Sequence, residues 1–161
     1  MEKIECQSCF KNKTFLECSN CKEAVCKRCA CFIDATSFEF VNFLPENING
    51  QTFCPSCYYT KAGPVLAEYN EILERAKFVN VYSVKQSSET SLIKRIEKAI
   101  KVKNCADKEE TLMRLAFITA QKNFDTIVDV KITSEKVFDS KYKKLTWSGE
   151  GVPVMNKKKQ T

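Results

Sequence analysis

The sequence has no histidine among its 161 residues. That excludes Ser-His-Asp and Cys-His catalytic arrangements, the HExxH zinc-hydrolase helix and an imidazole proton shuttle. Any metal site must be built from sulfur or carboxylate. Glycine is scarce, with 4 residues, and no GxxxxGK or GxGxxG stretch occurs, so Gly-rich phosphate loops are not expected. No apolar run reaches the roughly 18–20 residues of a membrane span. The opening Met1-Glu2-Lys3-Ile4-Glu5-Cys6 lacks the apolar core of a signal peptide. The expected location is cytoplasmic, where thiols stay reduced, and no membrane association is expected.

Cysteine is what the chain has in excess. There are 10, and 9 of them lie between positions 6 and 57. Eight form four CxxC pairs: Cys6/Cys9, Cys18/Cys21, Cys26/Cys29 and Cys54/Cys57. A two-residue spacer in a tight turn aims both sulfurs at one ion, and zinc takes four thiolates tetrahedrally at about 2.3 Å. Eight thiolates make two closed sites, hence two zinc ions per chain. Disulfides do not suit a reducing compartment, and iron–sulfur ligation favours a tighter run of cysteines with a distant fourth. Spacing alone leaves the pairing open, interleaved or sequential. Cys31 and Cys105 read as thiols outside the sites.

The composition changes near Gly63-Pro64, giving a finger at 1–63, a connecting helix at 64–77, an α+β domain at 78–155 and a basic, disordered tail at 156–161. The finger holds 7 of the 11 Phe. Phe38, Phe40, Phe43 and Leu44 read as its mini-core. A segment of about 60 residues with short elements cannot bury enough apolar area alone, so the finger should be unfolded without metal.

Residues 1–63 carry 7 basic and 7 acidic side chains, whereas 91–161 carry 16 and 9. The excess positive charge therefore sits in the second half. There the periodicity predicts a strand at 78–84, an amphipathic helix at 92–102, and a second helix capped by Asp107 with Glu110 in capping-box spacing. The inner face of that second helix should be Leu112, Leu115, Ala116 and Thr119. A strand follows at 126–133. Residues 143–154 read as one or two strands broken by Gly149 and Gly151, with Trp147 packed on the sheet. The order is strand-helix-helix-strand-strand, in an overall α+β chain. Lys94, Arg95, Lys98 and Lys101 along the first helix, with Lys141, Lys143 and Lys144, offer a nucleic-acid surface as an alternative function.

The spacing Cys6-x2-Cys9-x8-Cys18-x2-Cys21-x4-Cys26-x2-Cys29-x24-Cys54-x2-Cys57 resembles FYVE/PHD-type cross-brace double zinc fingers with a treble-clef end. The closing Thr52-Phe53-Cys54-Pro55-Ser56-Cys57-Tyr58 is similar to the end of FYVE domains, where the last CxxC opens a helix. The resemblance covers residues 4–62 and implies interleaved sites: Cys6, Cys9, Cys26 and Cys29 on one ion; Cys18, Cys21, Cys54 and Cys57 on the other. FYVE domains read an inositide with a basic, His-containing stretch, and here that stretch is Phe15-Leu16-Glu17-Cys18-Ser19-Asn20-Cys21, with no basic residue. The x4 gap between the second and third pairs differs from RING fingers, whose ubiquitin-ligase activity is a further alternative beside inositide binding. Residues 120–130 with 145–154 resemble small βαββ domains of the YbjQ-like heavy-metal-binding class, which assemble into rings. That implies a homo-oligomer through the C-terminal domain. The resulting expectation is a non-catalytic, zinc-binding adaptor for a protein partner.

Overall fold

The computed structural model describes residues 4–11, 14–33, 40, 48 and 50–156. Phe38, Phe43, Leu44 and the tail beyond Asn156 lie outside the described residues. The chain divides into two compact units, Met1–Asn70 and Glu71–Thr161. Both helices and strands are present, and the class is α+β.

The first unit is made of short elements. β1 (Thr14–Glu17) pairs antiparallel with β2 (Ala24–Cys26), and β3 (Cys31–Phe32) pairs antiparallel with β4 (Thr52–Phe53). A one-turn helix, α1 (Pro55–Cys57), begins directly after β4. Pro55 supplies a preset φ at the first helical position, and the Cys54 sulfur accepts from the Cys57 N–H at the cap. The chain continues through a π-helical stretch, Tyr58–Ala62, into α2 (Gly63–Ala76). The unit boundary falls within α2. The core around the cysteines is small and sulfur-rich: Val25 and Phe53 pack among Cys6, Cys18, Cys26, Cys54 and Cys57, and Ile48, Ala62 and Tyr69 are also buried in this unit.

In the second unit, β5 (Asn80–Ser83), β6 (Ile100–Cys105), β7 (Thr126–Asp139) and β8 (Tyr142–Val154) form one sheet in the order β5-β7-β8-β6. β5 runs parallel to β7, and the other pairs are antiparallel. α3 (Lys108–Gln121) covers one face. Asp107 caps it by accepting from the Glu110 N–H at 2.7 Å, the spacing expected from the sequence. The buried face of α3 is Thr111, Leu115, Ala116, Phe117, Thr119 and Ala120, so Leu112 sits at the edge of the core. The buried hydroxyls of Thr111 and Thr119 donate to the carbonyls of Asp107 and Leu115, each at 2.7 Å. These back-bonds let polar side chains sit in the interior.

Two expectations are corrected here. Residues 92–99 are not helical; a turn-rich stretch leads into β6, so the order is strand-strand-helix-strand-strand. Leu92 and Ile96 are 90% and 83% exposed, so the apolar stripe they were to complete has nothing to cover. The carbonyls of Thr90 and Ile93 accept from the Arg95 guanidinium at 2.9 and 2.7 Å, which engages acceptors a helical turn needs. Ile100 and Val102 instead alternate inward from β6.

The second correction is at β8, which is unbroken through Gly149 and Gly151. A Cβ on Gly149 would stand 2.6 Å from Thr111 Cγ2, and one on Gly151 would stand 2.8 Å from Ile127 Cδ1. Both glycines are there for close packing against neighbouring side chains. Trp147 is half-buried against the core formed by Val102, Leu115 and Ile127.

Candidate metal centres

Each CxxC pair folds into the same kind of turn. The N–H four residues after the first cysteine donates to that cysteine's carbonyl: Phe10 to Cys6 at 2.7 Å, Lys22 to Cys18 at 2.9 Å, Ala30 to Cys26 at 2.9 Å and Tyr58 to Cys54 at 2.9 Å. In the first two pairs the residue after the second cysteine is left-handed, Phe10 at φ 58° and Lys22 at φ 65°. Such backbone is costly for a residue with a Cβ and persists where the surroundings over-determine it. The turns bring both sulfurs of a pair to one side.

The elements then combine the pairs. The β1–β2 hairpin carries Cys18 near its first strand's end and Cys26 at the end of its second. The β3–β4 pair and α1 bring Cys54 and Cys57 back to the second knuckle. The result is two groups: Cys6, Cys9, Cys26 and Cys29; and Cys18, Cys21, Cys54 and Cys57. Within each group all four sulfurs lie within 4.8 Å of one another. The first pair joins the third and the second joins the fourth, the interleaved, cross-brace-like arrangement.

The distances fit a tetrahedral ion. Four sulfurs at about 2.3 Å from zinc stand about 3.8 Å apart. Cys9 and Cys26 are 3.8 Å apart, and Cys21 and Cys54 are 3.9 Å apart, sulfur to sulfur. A disulfide needs about 2.05 Å, and all ten cysteines are free thiols. Donors also aim at the sulfurs: the Cys26 N–H points to Cys6 Sγ at 3.3 Å, and the Asn20 amide to Cys57 Sγ at 3.2 Å. Such contacts orient thiolate ligands and spread their charge.

The protonation pattern supports the same reading. Burial raises the Cys6 thiol, but N–H groups of Cys26, Cys9 and Ser8 outweigh it and bring it down to about 6. Cys18 also falls to about 6, burial being outweighed by N–H groups of Cys21, Cys54 and Asn20. At Cys21 the Glu23 N–H favours the thiolate, yet burial and the sulfurs of Cys18, Cys57 and Cys54 together push it up to about 12. Cys29 is pushed up to about 12 by the neighbouring Cys26 sulfur and by burial. Four sulfurs this close resist full ionisation together, and a divalent cation at the centre removes that conflict.

All eight cysteines singled out by spacing are thus brought together. Cys31 lies outside both groups, with its Sγ 3.8 Å from the Cys29 carbonyl. Cys105 is buried in the core of the second unit. Two supporting residues were not foreseen. Ser19 and Asn20, the spacer of the second pair, hold that knuckle to the fourth: Ser19 N donates to the Thr52 carbonyl at 2.8 Å and Thr52 N to Ser19 Oγ at 3.2 Å, just before the pair, while the Asn20 amide reaches Cys57 at its end. The signal was a spacer made of two short side chains that hydrogen-bond locally. No helix among the described residues is long and apolar enough to cross a membrane.

The lysines expected on a 92–102 helix are dispersed by the absence of that helix. Arg95 is engaged with Asp129, and Lys101 lies 3.9 Å from Glu150. Lys141, Lys143 and Lys144 fall at the far end of the β7–β8 hairpin. No family model, curated protein or solved structure matches the chain, and its likeness to cross-brace fingers rests on the ligand pattern and the geometry of the two cysteine groups.

Proposed function

We propose that this is a zinc-binding, non-catalytic adaptor whose finger docks a protein partner, with the C-terminal unit serving assembly. The observation that carries the reading is the pair of four-sulfur groups. Four protein thiolates fill zinc's tetrahedral shell and leave no position for a water or substrate, which is the arrangement of structural sites. The chemistry zinc supplies here is cross-linking: it holds a segment of short elements, whose cysteines surround Val25 and Phe53, in a folded scaffold.

A scaffold of this kind displays its surface. Phe10 is 72% exposed and Phe32 57% exposed, and apolar side chains held outward on a rigid frame support a protein-docking role. The stretch Phe15-Leu16-Glu17-Cys18-Ser19-Asn20-Cys21 offers no cationic side chain to an inositide. For assembly, β5 and β6 are the edge strands of the sheet, the positions through which sheets extend.

Two measurements on the full chain test the proposal. Elemental analysis should find two zinc ions per chain. Affinity capture with the wild type and with a Phe10→Ser/Phe32→Ser variant should then retain one partner only in the wild type, at equal zinc content. Fewer than two zinc ions, or identical capture by both forms, overturns it.

A further inference from the structure

The β7–β8 hairpin outruns its sheet. β5 leaves β7 at Val130, and β6 leaves β8 at Trp147. Beyond these points β7 and β8 continue to pair only with each other, from Ser134↔Trp147 to Asp139↔Tyr142. Six pairs at about 3.3 Å give a ribbon on the order of 20 Å long. Every residue from 133 to 145 is exposed. A two-stranded ribbon standing alone in water is marginally stable, so one of this length calls for something to lie against.

Its chemistry is cationic and aromatic. The free part carries Lys136, Lys141, Lys143 and Lys144 against Glu135 and Asp139. No ion pair engages these four lysines among the described residues. By register, Lys136, Phe138, Lys143 and Leu145 share one face, while Glu135, Val137, Asp139, Tyr142 and Lys144 share the other, so the first face is cationic and the second mixed. Lys143 Nζ stands 5.6 Å from the centre of the Phe138 ring. Phe138 and Tyr142 are 75% and 79% exposed. At the base, a shallow groove of about 270 Å³ on the sheet is lined by Lys101, Lys103, Lys131, Thr133 and Ser148, with Glu150 as its one carboxylate. The groove lies on the face that continues into Lys144, opposite Lys136 and Lys143.

We infer that this ribbon is a nucleic-acid arm that lies in the major groove of duplex DNA. That groove is about 12 Å wide and admits a two-stranded β-ribbon. With the Lys136–Lys143 face turned inward, its phosphate walls come within reach of those two lysines and of Lys141 at the turn. A flat acidic protein surface would engage one face and leave the other in water. The inference is independent of the finger's role.

The test is an anisotropy titration of the zinc-loaded full chain against a labelled B-form duplex of about two helical turns. It compares wild type, Lys136→Gln/Lys143→Gln/Lys144→Gln, and a control of equal charge loss, Lys85→Gln/Lys94→Gln/Lys98→Gln. With about four phosphate contacts, wild-type affinity should fall roughly 100-fold between about 50 and 200 mM salt, and that of the ribbon variant only a few-fold. The control should behave as wild type. No binding at low salt, equal losses in the two variants, or equal competition by a single strand of the same length each overturns the inference.

Discussion

Arg95 holds Asp129 through two nitrogens, Nε at 2.5 Å and Nη2 at 3.0 Å. The same guanidinium donates to the carbonyls of Thr90 and Ile93 and to the Thr90 hydroxyl. Asp129 sits at an irregularity of β7, with φ 54°, where the register to β8 shifts between Val128 and Lys131. One ion pair thus closes the turn-rich segment before β6 onto a bulge in the central ladder.

This pair makes stability depend on pH. The Arg95 hydrogen bonds hold the Asp129 carboxyl below the usual carboxylate range. Its contribution is complete above the unfolded pKa of about 3.9 and is lost as pH falls through the lower folded value. Asp129→Asn keeps a side chain that tolerates left-handed backbone and removes only the charge. At pH 7 it should cost about 1 kcal/mol in denaturant unfolding, because a charge-assisted contact open to solvent is lost. Once pH falls below the lowered folded value of Asp129, the variant and wild type should converge. Glu110, also lowered by the Ala106 N–H and by Arg114, titrates in the same window, so the difference between the two proteins is the readout.

Zinc removal should unfold the first unit. Structural sites of this type contribute on the order of 10 kcal/mol each, and nothing in the Val25–Phe53 core replaces that. Under a strong chelator, amide signals of residues 4–57 should collapse to unfolded positions while those of β6, α3, β7 and β8 stay dispersed. Uniform retention of both sets would show that the finger folds without metal.

Cysteines two residues apart should behave differently. Cys29→Ser should lower bound zinc by one ion per chain. Cys31→Ser should keep both ions, since its sulfur belongs to neither group. Native mass spectrometry separates the two outcomes directly.

Glycines should also divide. Gly149→Ala must push Thr111 Cγ2 away from 2.6 Å, and should cost about 1–3 kcal/mol. Gly63→Ala has nothing closer than 3.7 Å at helical φ −53°. It should be neutral or stabilise by about 0.4–1 kcal/mol through the unfolded chain. Denaturant midpoints of the two variants settle the contrast.

The parts legible in the sequence were those set by local chemistry. CxxC spacing marks eight ligands because two sulfurs per tight turn is a local demand. Asp107 and Glu110 announce the start of α3 because capping spans three residues. The 92–102 stretch was misread because Leu92, Ile93, Ile96 and Ile100 fit a helical stripe. What decides that stretch is distant: β8 offers an edge to Ile100 and Val102, and Asp129 lies 34 residues from Arg95. Gly149 and Gly151 read as breaks for the same reason. Their neighbours, Thr111 and Ile127, are far off in sequence. The interleaving of the cysteine groups came from resemblance, since spacing does not say which pairs share an ion.

The β3–β4 pairing bears on the 19 residues between Phe32 and Thr52. Its two strands place Phe32 opposite Thr52, and metal ligands anchor both flanks at Cys29 and Cys54. The ends of that span are therefore joined before its length matters. Closure entropy grows only as the logarithm of length, by about 0.6 kcal/mol per doubling. The two strands with Cys29 and Cys54 thus act as a clasp: they set the distance between the ends of the span whatever its length.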